Sequence, residues 1–142
     1  MRELEECLRL TRRINEIREQ IEELKSFAMN PRNQIISDMP KGGGSTTNAV
    51  ERYIIRREKL EYELEQLIEK RFDLWEKITD TLDEMNQRIE TKMMLQLRFC
   101  NGYSWKKCVL ILENLYPDEK WSTNKCFRIY RSVLHKISTN NL

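Results

Sequence analysis

All four glycines and all three prolines of this 142-residue chain fall in three places: Pro31 to Gly44, Gly102 and Pro117. Everything between them is free to propagate as helix, because the two strongest helix breakers are missing. Residues 45–101 hold neither. A chain punctuated this sparsely is confined to a few long helices joined at those sites. The periodicity agrees. Cys7, Leu10, Ile14, Ile17, Ile21, Leu24 and Ala28 alternate spacings of three and four, the a and d positions of a heptad with one narrow apolar seam. Asn30 precedes Pro31, which disfavours helical geometry and ends the segment.

A second helix is expected from a cap at Asn48, with Glu51 three residues on. Leu60, Leu64, Leu67, Leu74, Ile78 and Met85 continue the seam, and Ile68, Trp75, Leu82 and Ile89 widen it. So broad a stripe fits a helix with more than one neighbour. Residues 1–85 are therefore expected to form a long antiparallel, coiled-coil-like hairpin with a polar connector at about 30–48. The stripe carrying Leu74, Trp75, Ile78 and Leu82 predicts a homodimer through the hairpin. In the connector, Lys41-Gly42-Gly43-Gly44-Ser45-Thr46-Thr47 lacks the order of a phosphate-binding loop and has no strand before it.

Residues 86–142 read as a small three-helix domain. Ile89, Met93, Met94, Leu97 and Cys100 give the first helix an apolar face, and Asn101-Gly102 closes it. Ser104 caps a second helix bearing Cys108, Ile111, Leu112 and Leu115 on one side. Tyr116-Pro117-Asp118 ends it. Ser122 caps the last helix, with Trp121 placed to staple against Cys126. One side of that helix carries Cys126, Tyr130, Val133 and Ile137; the other carries Asn124, Lys125, Arg128, Arg131, Ser132 and His135.

Charge is divided along the chain. Residues 1–40 are close to neutral and residues 41–90 carry a net −3, whereas residues 91–142 hold nine basic and three acidic side chains, a net of +6. A basic end on a near-neutral to acidic body points to a polyanionic partner. Two capped short helices, the second with a basic outer face, suit a helix-turn-helix module on double-stranded DNA.

The stretch LQLRFCNGYSWKKC at 95–108, followed by WSTNKCFRIYRSVLHKI at 121–137, resembles the C-terminal helix-turn-helix region of bacterial sigma factors. It is more similar to small phage and prophage proteins of Gram-positive bacteria related to the ArpU-type late transcription regulators. In that family a charged helix, a Gly/Ser-containing loop and a second long helix precede the sigma-like region. The resemblance rests on Leu97-Arg98-Phe99, Gly102, Ser104-Trp105 and Ser122 through Ile137. It implies a phage-encoded transcription regulator in the bacterial cytoplasm, with RNA polymerase as a second partner. By position, Thr123, Asn124, Lys125 and Arg128 would face base edges, and Arg131, Ser132 and Lys136 would meet phosphates. The chain departs from the family at Lys106-Lys107, where the family carries Glu-Glu, and in a longer turn over residues 115–121. Cations in the first turn of a helix oppose its dipole, so a DNA phosphate is the expected reason for Lys106 and Lys107.

Other roles are weaker. A small terminase-like packaging component, an RNA-polymerase-binding adaptor and a coiled-coil assembly protein share this layout. No enzyme is expected: His135 is the lone histidine, and no nucleophile–base pair can be drawn. No cofactor is expected either, because Cys100, Cys108, Cys126 and His135 match no zinc spacing. The acidic start resembles no signal peptide, and no apolar run is long enough for a membrane span.

Overall fold

The computed structural model describes residues 2–29 and 45–140, all helices and turns. Helix α1 is Arg2–Met29 and α2 is Ser45–Glu84. Three short helices follow: α3 (Ile89–Leu95), which continues into a π-helical segment at Gln96–Cys100, α4 (Trp105–Leu115) and α5 (Thr123–Asn140). The protein is an all-α fold, a long helical hairpin followed by three short helices. Helix α2 begins at Ser45, a turn ahead of the expected cap at Asn48; no glycine or proline after Gly44 prevents the helix from starting there. Most of the connector expected at about 30–48, residues 30–44, lies outside the described residues.

Packing divides the chain into two compact units, residues 1–12 with 70–142, and residues 13–69. This differs from a boundary near residue 85. In the second unit Ile14, Ile17 and Ile21 of α1 are buried, with Leu60, Leu64 and Leu67 of α2 half-buried. Arg13 reaches Glu63 across the helix pair at 3.1 Å, an exposed bridge worth little. Here the heptad seam of α1 is used as its spacing predicts.

The first unit has a single core. Leu4 and Cys7 from α1, and Ile78 and Leu82 from α2, join Met94, Leu95, Leu97 and Phe99, with Cys108 and Leu112 from α4 and Cys126, Val133 and Ile137 from α5. Leu74 and Trp75 pack against it, half-buried. Of the stripe expected to receive a second copy of the chain, Ile78 and Leu82 are buried in this core and Leu74 and Trp75 are partly covered by it. The three short helices alone offer too little apolar surface, and the hairpin residues complete their core.

Two left-handed residues set the corners. Asn86 has φ 54° and closes α2: its N–H donates to the Asp83 carbonyl at 3.1 Å and that of Gln87 to Leu82 at 3.2 Å. This is the paired bonding of a Schellman cap, with asparagine where glycine is commoner. It breaks what the sequence leaves as one uninterrupted helical stretch. Gly102, at φ 75°, is the second corner, as expected of the Asn-Gly pair; Asn101 itself stays right-handed at φ −91°.

Before Gly102 the helix widens. The Asn101 N–H reaches back to Gln96 at 3.0 Å and that of Tyr103 to Leu97 at 3.1 Å, bonds that span five and six residues. The last carbonyls of such a segment have no helical donor. Two side chains from the hairpin supply donors. The buried Thr11 hydroxyl lies 3.1 Å from the carbonyl oxygens of both Phe99 and Cys100, and 2.9 Å from that of Cys7 in its own helix. It donates to one at a time. Arg71 Nη1 donates to the Cys100 carbonyl at 3.1 Å and to the Thr11 oxygen at 3.4 Å.

Two stability outcomes are expected in urea denaturation. Asn86→Gly relieves the left-handed asparagine and should stabilise by up to ~1 kcal/mol, whereas Asn86→Val should destabilise by ~1–2 kcal/mol. Thr11→Val keeps the shape but removes a buried donor from the carbonyls, for an expected loss of ~1–3 kcal/mol.

Candidate nucleic-acid interface

Helix α5 is held by its apolar side. Cys126, Val133 and Ile137 are buried in the core, and Tyr130 stacks on Phe99 with ring centroids 5.2 Å apart. Trp105, the first residue of α4, lies 5.3 Å from Phe127 and 5.8 Å from Tyr130. The guanidinium of Arg98 sits over the Trp105 ring at 5.3 Å, and its Nη1 donates to the Tyr103 carbonyl at 3.0 Å. These aromatic contacts fix α4 against α5.

Both expected caps are present. Ser104 Oγ accepts from the Lys107 N–H at 3.2 Å, and Ser122 Oγ accepts from the Lys125 N–H at 3.1 Å. Trp121 and Cys126, the proposed staple, are buried in the same core. The Trp121 indole N–H donates to the Tyr116 carbonyl at 3.3 Å, which braces the long turn between the helices.

Of the expected site residues on α5, Thr123, Asn124, Arg128, Arg131, Ser132 and Lys136 are exposed. Arg128, Ser132 and Lys136 line one side of an open groove of about 650 Å³. Its other side is formed by Gln87, Arg88 and Thr91 at the corner between α2 and α3. Arg131 lies along the opposite flank, its guanidinium 5.9 Å from the Phe127 ring centre. The structure thus brings three of these residues onto one wall and leaves Thr123, Asn124 and Arg131 on the remaining outer surface.

Lys125 is placed differently. Its ammonium donates to the Lys120 carbonyl at 3.1 Å, lies over the Trp121 ring at 4.7 Å and is 3.6 Å from Glu119. These contacts tie it to the turn at 116–121, while it also lines the same groove as Arg128. The turn itself supplies all three partners. Lys106 and Lys107 are exposed on the first turn of α4, and Lys107 Nζ stands 4.1 Å above the Tyr103 ring. That cation–π contact offsets part of the unfavourable dipole position.

Arg88 is the groove cation that sequence reasoning missed, since nothing around it marks a site. It is bound to Glu119 at 2.6 Å and Glu90 at 3.0 Å. The hydrogen bond from Arg88 holds the Glu119 carboxyl below the usual carboxylate value, with Lys125 adding to the effect. Among the described residues, no cluster of three or more metal-ligating side chains is found, and no helix is long and apolar enough to cross a membrane. No protein family matches the chain, and neither a curated protein nor a solved structure matches it.

The Glu119 bridge has a pH signature. A carboxyl lowered in the folded state contributes stability above its unfolded value, ~4.3 for a free glutamate, and loses it as pH falls through the folded value. Trp121 fluorescence should therefore be steady at neutral pH and shift only below about pH 4, and Glu119→Gln should abolish that step. Lys125→Ala should cost ~1 kcal/mol of stability through the lost ring and bridge contacts.

Proposed function

We propose that the chain is a DNA-binding transcription regulator that docks α5 in the major groove of double-stranded DNA. The observation that carries this reading is the outer face of α5. No acidic residue lies between Thr123 and Asn140; Arg128, Arg131 and Lys136 are exposed, while aromatic packing holds the opposite face rigid. Groove readout needs a fixed helix with donors on one side, and phosphate contacts need cations at its flanks. Thr123, Asn124 and Arg128 are the base-reading candidates, and Arg131, Ser132 and Lys136 the phosphate-contacting ones. Lys125 lines the same groove, with its ammonium engaged by the turn. The resemblance to the ArpU-type relatives supplies the phage regulatory setting.

Lys106 and Lys107 belong to the first helix of the pair, which in helix-turn-helix docking crosses the backbone. Their place in the proposal is affinity without sequence choice. Replacing both with Ala should leave the fold within about 1 kcal/mol, since the helix dipole gains what the Tyr103 contact loses. Binding to all duplexes should weaken together, and the salt slope should fall by roughly 1–2, near 0.9 per lost phosphate contact. Arg128→Ala should instead relax the choice among sequences, at ~1–3 kcal/mol for the preferred site. Lys125→Ala should leave the salt slope unchanged. Fluorescence anisotropy titrations at several salt concentrations, on a selected site and on random duplexes, separate these outcomes. Equal slopes for the wild type and the double-lysine variant would remove α4 from the interface, and no measurable binding to any duplex would overturn the reading.

A further inference from the structure

Beside the Thr11 and Arg71 contacts to the π-helical segment lie two cysteines with no part in the DNA-facing surface. Cys7, on α1, is completely buried, whereas Cys100, at the end of the π-helical segment, is half-buried. Their backbones converge on one side chain, since the Thr11 hydroxyl lies 2.9 Å from the Cys7 carbonyl and 3.1 Å from that of Cys100. The two thiols also perturb each other, the neighbouring sulfur raising the pKa of Cys7 and lowering that of Cys100. Arg71, already bonded to the Cys100 carbonyl at 3.1 Å, places a fixed positive charge beside the pair. A neighbouring thiol and a guanidinium are what stabilise a thiolate on Cys100.

We propose that Cys7 and Cys100 form a reversible oxidation site, at which a hydroperoxide oxidises Cys100 and Cys7 closes a disulfide tying the start of α1 to the end of the π-helical segment. In the first step the Cys100 thiolate attacks a peroxide oxygen. A sulfur–oxygen bond forms, the oxygen–oxygen bond breaks, and the departing oxygen leaves as alcohol or water after taking a proton. In the second step the Cys7 sulfur attacks the sulfenic sulfur; the sulfur–sulfur bond forms, and hydroxide leaves with the proton of Cys7 as water. The thiols lose two electrons and two protons together, and the hydroperoxide is reduced. Because both backbones are held at the Thr11 hydroxyl, the two sulfurs can close to the ~2.05 Å of a disulfide without a large backbone movement.

The division of labour follows from environment. Cys100 is the partly accessible sulfur, and the neighbouring Cys7 thiol, assisted by Arg71, lowers its pKa from the ordinary thiol value against the opposing push of burial. Cys100 and burial raise that of Cys7, which suits a resolving thiol that reacts second. Cys108 and Cys126 are fully buried and burial raises both, so they form an internal control within the same core.

The test uses the full chain, treated with hydrogen peroxide, alkylated and mapped as peptides without reduction. The expected product is one cross-linked peptide pair containing Cys7 and Cys100, lost on adding dithiothreitol, with Cys108 and Cys126 recovered as free thiols. In Cys7→Ala, whose fold is checked by circular dichroism, the sulfenic acid on Cys100 should persist and be captured by dimedone. In Cys100→Ala, peroxide-dependent thiol loss should slow by at least about tenfold. The wild-type map decides the pairing even where a variant fails to fold. A cross-link through Cys108 or Cys126, or four thiols still free after peroxide, would overturn the proposal. DNA binding does not enter either readout, so the two proposals stand or fall separately.

Discussion

The carbonyls that end the π-helical segment have to be satisfied inside the protein, and Thr11 and Arg71 satisfy them. A buried carbonyl without a donor costs on the order of 1–3 kcal/mol, a large part of what holds a domain this small. Thr11 answers for Phe99 or Cys100 and Arg71 for Cys100. The widened turn, the position of Gly102 and the start of α4 all follow from that contact. It joins residues some ninety positions apart in sequence, which makes the hairpin base part of the same core as the last three helices.

On that support α5 is built as a helix with two unlike faces. The aromatic group of Phe99, Trp105, Phe127 and Tyr130 orients it, and the long turn before it is held by Trp121 and Lys125. For the DNA-binding role proposed above, rigidity matters more than charge alone. Cations on a loosely held helix attract any polyanion, whereas a fixed spacing of donors is needed to distinguish one base sequence from another. The Glu119 carboxylate, between Arg88 and Lys125, pairs with two of the groove cations, and Arg128 and Lys136 line the same groove.

Much of this was legible locally. The helical class, the closure at Gly102 and the caps at Ser104 and Ser122 depend on a few neighbouring residues, and the sequence carries those signals directly. The two-sided character of α5 likewise follows from spacing. Three features did not show because they are set by distant partners or by competing local cues. Asn86 turns left-handed inside a stretch with no glycine or proline to mark it. The stripe of Leu74, Trp75, Ile78 and Leu82 is broad whether it meets another copy or its own last helices, and periodicity cannot tell these apart. Lys125 has the spacing of an outward residue, yet a turn lengthened by a few residues brings Glu119, Lys120 and Trp121 within its reach.

The division into units also describes a route through the molecule. The chain leaves the first unit after residue 12 and re-enters it at residue 70, so residues 13–69 are an excursion from an otherwise continuous body. Its exit and entry points are adjacent, because Thr11 and Arg71 are in contact across them at 3.4 Å. Such an inserted helix pair can change length when both of its helices gain or lose whole heptads together. The length of residues 13–69 is thus a variable that the contacts of the first core and of α5 do not fix.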